Sequence, residues 1–156
     1  MLRQFLMGGA ISVCNIVIHA LVMTAVVRAS QATAVKAAAR PNLVLIAVMV
    51  ATVSVLMAAH ACEVLVWSLA YGLVDAVPAD TNLLYFAFVN YTTLGYGDIV
   101  PVERWQLMGP MTAMNGVLLF GWSTAVIFEV LRKAMAVTTS NGRRSGGGDL
   151  LAEVSG

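Results

Sequence analysis

Three long apolar runs leave this chain few ways to fold. Residues 5–27, 43–72 and 105–131 each exceed the roughly 20 residues that a helix needs to cross a hydrocarbon core. Arg3 and Arg28 bound the first run, and only His60 and Glu63 interrupt the second. Glu129 interrupts the third, which closes on Arg132-Lys133. A fourth apolar block, 83–94, is too short to span as a helix and reads as a re-entrant segment. Of 156 residues, 60% are hydrophobic and 11% charged, too few charges to keep a water-facing surface soluble. The expected fold is an all-α membrane protein with three transmembrane helices. The first run is longer than a typical secretory-signal core and is read as a retained span.

Basic residues set the expected orientation. Arg28, Lys36 and Arg40 lie between spans one and two, and Arg132, Lys133, Arg143 and Arg144 follow span three. Between spans two and three stands only Arg104, against Asp75, Asp80, Asp98 and Glu103. Cytoplasmic loops are the ones enriched in Lys and Arg, so the N-terminus is expected outside and the C-terminus in the cytoplasm. The layout is then a first helix at 1–28, a cytoplasmic linker at 29–42, a pore domain at 43–133 and a flexible tail at 134–156. The tail is rich in Gly, Ser and Thr and has too little apolar surface to fold alone. A net charge of +1 gives no sign of a nucleic-acid partner. Cys14 and Cys62 fall inside apolar runs and are expected as free thiols.

The chemistry lies between spans two and three. Thr81 or Asn82 caps a short buried helix, 82–92, which ends before Gly95 and Gly97. Glycines at alternate positions admit dihedral signs forbidden to other residues, so successive carbonyls can turn toward one axis. Such a ring of carbonyls, over 93–98, replaces the water shell of a partly dehydrated monovalent cation. Thr93 adds its hydroxyl, Asp98 ends the segment with a carboxylate that concentrates cations, and the short helix aims its partly negative C-terminus the same way. Leu94 and Tyr96 are expected to point away and pack behind the carbonyls.

Tyr91-Thr92-Thr93-Leu94-Gly95-Tyr96-Gly97-Asp98 resembles the signature of the potassium channel pore-domain family, where it also follows a pore helix and precedes an inner helix. The resemblance implies an outer helix at 43–72, a pore helix at 82–92, a filter at 93–98 and an inner helix at 105–133. It implies K+ sites on the carbonyls of Thr93, Leu94, Gly95 and Tyr96, Gly97 at the outer entrance, and no organic cofactor. Leu94 stands where valine is commoner. The family often ties the carboxylate matching Asp98 to an aromatic donor on the pore helix, and Tyr85 is at that position. One segment cannot enclose an axis, so three further copies are expected around the pore, making a homotetramer in a lipid bilayer. A prokaryotic inner membrane is the expected location.

In the family the inner helix lines a cavity and bends at a glycine, which aligns with Gly116. Val117, Phe120, Thr124 and Phe128 share one face, expected to line the cavity with Phe128 as the constriction; lipid or subunit contact is the alternative for each phenylalanine. Asn115 is a second candidate for the cavity, and Gly121 reads as a close-packing residue. Gly109-Pro110 either kinks this helix or marks its start. Glu129 is spaced to pair with Arg132 and Lys133. His60 and Glu63, three residues apart in span two, form either a pH-responsive brace on the pore helix or a packing pair, the latter favoured. His19 reads as a helix contact.

No nucleophile–base pair and no metal motif is present, so the reading is not an enzyme. A potassium-selective channel subunit is expected; a weakly selective cation channel and a non-conducting accessory subunit are the alternatives. No arginine-repeat span or folded ligand-binding domain supplies a gating stimulus, which leaves an unidentified regulatory partner as one candidate.

Overall fold

The structure, a computed structural model, describes the backbone of residues 1–34 and 41–154 and the side chains of 1–30 and 43–136. Four helices follow one another: α1 (Leu2–Ala34), α2 (Pro41–Leu73), the short α3 (Leu83–Tyr91) and α4 (Met108–Val154), with one 3₁₀ turn, Glu103–Trp105, before α4. Three are long and apolar enough to cross a membrane, and no strand occurs among the described residues.

α1 and α2 run antiparallel: His19 meets Glu63, while further along α1 Val26 and Ser30 line one cavity with Val48 and Thr52, earlier in α2. α4 returns parallel to α1, so Gln4 near the start of α1 accepts a hydrogen bond from the Leu107 amide at the start of α4, at 2.8 Å. The N-terminus therefore lies at the same end of the bundle as the start of α4. α3 is wedged between α2 and α4.

Two apolar clusters hold the bundle at different depths. One gathers Val64, Trp67, Tyr71, Phe86, Tyr91, Met108 and Met111 around α3. The other joins Met23, Val26, Leu56, Val126 and Val130 of the three long helices at the opposite end. Between them lies a polar layer, described below. Outward-facing leucines and valines such as Val13, Val50 and Leu118 leave the exterior apolar, as lipid contact demands.

The boundaries differ from the sequence expectation in physically simple ways. α1 continues past residue 28 to Ala34, so the linker expected at 29–42 lies partly in α1 and partly outside the described residues. The helix expected from residue 105 begins at Met108, as α4, with the 3₁₀ turn before it. Pro110 is in its first turn, where a missing amide proton has no intrahelical acceptor to forgo, so Gly109-Pro110 marks the start of the helix. α4 runs to Val154, beyond Ala134, where a flexible tail is expected; no proline follows Pro110 to interrupt its hydrogen-bond ladder. Cys14 and Cys62 are free.

Candidate functional site

Asn82 caps α3: its side chain accepts from the Tyr85 amide at 3.0 Å. α3 then delivers the chain to the segment 93–98 with its first amides already satisfied. Thr93 N–H donates to Asn90, and Leu94 and Gly95 N–H both donate to the Val89 carbonyl, at 3.0 and 3.3 Å. The end of the helix and the start of the segment are thus one rigid piece.

Backbone sign alternates along that piece. Thr93, Gly95 and Gly97 have φ of +61°, +59° and +75°, while no positive φ occurs at Leu94 or Tyr96. Glycine accepts this without a Cβ penalty; at Thr93 the same conformation costs about 1–2 kcal/mol. Opposite signs at successive residues turn their carbonyls to a common side. Sequence reading flags the two glycines and misses Thr93, because nothing in a threonine announces a left-handed backbone.

The Tyr85 hydroxyl donates to Asp98 Oδ2 at 2.8 Å, closing the far end of the segment onto α3. That bond, with the Asp98 charge, raises the Tyr85 phenol above its ordinary value. Leu94 and Tyr96 are 55% and 68% exposed, so within the chain their side chains are not packed. Val117, Phe120, Thr124 and Phe128 all lie on the open side of α4, and a Cβ added at Gly121 would meet nothing within 4 Å, so within the chain Gly121 is not the close-packing residue expected. Phe120 also turns its edge toward α2 and α3, with ring centroids 4.6 Å from His60 and 5.4 Å from Tyr91. Glu129 pairs with Arg132 and Lys133 at 2.9 and 3.0 Å.

Gly116 sits where α4 crosses the C-terminal end of α3. A Cβ there would stand 2.0 Å from the Tyr91 carbonyl oxygen, so the position is a close approach of two backbones. Asn115 does not face open space: it is buried, and its Oδ1 accepts from Trp67 Nε1 at 3.0 Å and from Asn15 Nδ2 at 3.1 Å.

Behind the segment lies the polar layer. Glu63, fully buried, meets His19 Nδ1 at 2.7 Å through Oε1. Through Oε2 it meets His60 Nδ1 at 3.0 Å and accepts from the Tyr91 hydroxyl. Ser123 Oγ contacts His60 Nε2 at 2.9 Å and His19 Nε2 at 3.3 Å. His60 and Glu63 do contact each other, as their spacing allows, but they are two members of a ring drawn from all four helices. The sequence reading has His19 as a helix contact and Tyr91 as part of the signature, and it joins neither of them, nor Ser123, to the pair. A signal was there: Gln4, Asn15, His19 and Met23 recur at helical spacing and are the buried stripe of α1.

A family model described as ion channel matches residues 43–133, more than half of the chain. No curated protein and no solved structure matches. The matched stretch takes in nearly all of α2, then α3, the alternating segment and the membrane portion of α4, and it leaves α1 outside. With three membrane-capable helices around that stretch, the chain is a multi-pass membrane protein that belongs to the ion channel family, in its two-span, potassium-channel-type pore-domain branch.

Proposed function

We propose that four copies of this chain enclose one pore, and that residues 93–97 form its potassium-selective filter. The observation that carries the reading is the alternation of positive φ at Thr93, Gly95 and Gly97, which a carbonyl-lined ion path needs and few other structures use. Exposure supports assembly: residues 92–98 are all exposed in the single chain, and non-helical backbone at membrane depth must be enclosed by protein or water. Neighbouring copies enclose it and supply packing for Leu94 and Tyr96. K+ ions bind the carbonyls of Thr93, Leu94, Gly95 and Tyr96 and the Thr93 hydroxyl; Gly97 and Asp98, held by Tyr85, form the outer mouth. The open face of α4 lines the cavity, with Phe128 as its narrowing. In this reading the N-terminus and filter mouth face outward and the C-terminus faces the cytoplasm of a prokaryotic cell.

Flux through the purified chain in liposomes tests this. Potassium flux that fails with sodium, and fails in Gly95→Ala, is the expected result. Equal flux of both ions would replace the selective reading with a weakly selective one, and flux unaltered by Gly95→Ala would refute the filter assignment.

A further inference from the structure

Five contacts at hydrogen-bonding distance close the polar ring, and each requires one proton. Glu63 meets His19 Nδ1, His60 Nδ1 and the Tyr91 hydroxyl; Ser123 Oγ meets both Nε2 atoms. His60 Nδ1 also lies 2.9 Å from the Tyr91 oxygen, which shares its proton. With Glu63 ionised and both imidazoles neutral, the ring brings four protons to these contacts: one from each imidazole, one from Tyr91 and one from Ser123. Somewhere two lone pairs would then face each other in a buried site, which is costly. One further proton removes the conflict. An imidazolium donates from both nitrogens, to Glu63 and to Ser123, and Ser123 donates its own proton to the second imidazole. The same proton cancels the charge of Glu63.

His19, His60 and Glu63 also offer ligand atoms within 4.8 Å of one another, a donor set that zinc uses. A single proton satisfies the ring with no further ligand. A dication beside one carboxylate would need a hydroxide as well to leave no net charge between two apolar clusters, whereas one proton leaves none. The ionisable groups facing the ring are His19 from α1, His60 and Glu63 from α2 and Tyr91 from α3. Among the described residues, α4 brings the Ser123 hydroxyl and the rings of Phe120 and Trp122.

We propose that His19, His60, Glu63 and Ser123 form a one-proton site through which the first span holds Tyr91, and with it the base of the filter. His19 is the member from α1, and the backbone of Tyr91 leads within two residues to Thr93. His19 thus acts as a positioning residue, and α1 gains a part in a pore whose family match excludes it.

The test counts protons on the full-length chain in lipid bilayers, by nitrogen NMR of isotopically labelled histidine at neutral pH. The expected result is three protonated nitrogens of the four on His19 and His60. In Glu63→Gln the amide both donates and accepts, so the ring closes with neutral imidazoles and the count falls to two. Two or four in the wild type, or a stoichiometric metal found by elemental analysis, would overturn the proposal. The wild-type count decides alone, so nothing depends on the variant folding. Potassium flux against pH is the second arm: a one-proton slope in the wild type, lost in Glu63→Gln, supports the link to the filter, and an unchanged slope refutes it. That arm rests on the proposed conduction and the proton count does not, so a chain that fails to conduct would sink the first reading and leave this one standing.

Discussion

Replacing Gly116 by alanine sets two accounts of that residue against each other, and they differ in sign. A glycine in an unobstructed helix interior costs about 1 kcal/mol relative to alanine, so a residue kept only for bending should become more stable when replaced. Here the new Cβ would stand 2.0 Å from the Tyr91 oxygen and 3.0 Å from its carbonyl carbon, where ordinary contact begins near 3.4 Å. The obstacle is backbone. It cannot rotate aside, and it is fastened on both flanks, by the amides that bond to Val89 and Asn90 and by the Tyr91 hydroxyl on Glu63. α4 must therefore retreat from α3, loosening Met108 and Met111 in the cluster around Tyr91. Overpacking of this kind costs about 1–3 kcal/mol, and a fixed obstacle puts the net loss near the upper end. For a domain of this length that lowers the thermal midpoint by roughly 6–12 °C. Circular dichroism melts of the purified protein in detergent would read it, with potassium flux measured on the same preparation. A midpoint that rises, with flux altered only in its gating, would refute the close-approach argument and restore the hinge.

Other substitutions probe the remaining pieces. Gly95→Ala places a Cβ on a residue with φ of +59° and should abolish selective flux while costing about 1–2 kcal/mol, read by the same melts. Tyr85→Phe removes the 2.8 Å bond to Asp98 and should hasten loss of conduction during sustained flux; unchanged decay would show that the bond does not hold the mouth. The Tyr85 phenol is raised by that bond, so its contribution is complete below the ordinary tyrosine range and is lost as pH rises through the raised value. Flux decay in the wild type should therefore hasten at strongly alkaline external pH and converge on that of Tyr85→Phe. Asn82→Ala removes the cap of α3 and should cost about 1 kcal/mol, seen as a lower melting midpoint.

Much of this architecture is legible in the residues, because lipid allows so few alternatives. Long apolar runs had to be helices, and the run too short to span holds the short helix α3, so α2, α3 and α4 fall close to their expected positions. A cap at Thr81 or Asn82 was readable because capping acts through local geometry, and Asn82 is the residue that caps; the Tyr85–Asp98 bond was expected only through the family resemblance. What local pattern could not reveal was depth and azimuth. Asn115 and Ser123 look alike as small polar residues on an apolar helix, yet both turn away from the expected cavity face into the buried layer. Tyr91 reads as part of a signature, and its hydroxyl reaching Glu63 depends on how α3 docks against α2. Gly116 was found for one reason and matters for another, since a close approach involves a second chain segment that sequence spacing does not contain.

α1 shows why its role was hardest to read. Hydrocarbon is as apolar as leucine, so an apolar helix gains nothing by leaving lipid for a bundle, and association must come from packing and polar contacts. α1 is built accordingly, with apolar residues such as Val13, Val17 and Leu21 outward and Gln4, Asn15 and His19 inward. Those three side chains make five bonds to α2, α4 and the Leu107 amide. At about 0.6 kcal/mol for an interhelical bond in a membrane, five supply about 3 kcal/mol, enough to keep α1 docked with no contribution from hydrophobicity. A hydropathy reading sees such a helix as a plain span, since three polar residues barely dent its average. The groups that lipid tolerates least are the ones that dock α1, and two of them, Asn15 and His19, meet at Glu63, one side chain away from the last residue of α3.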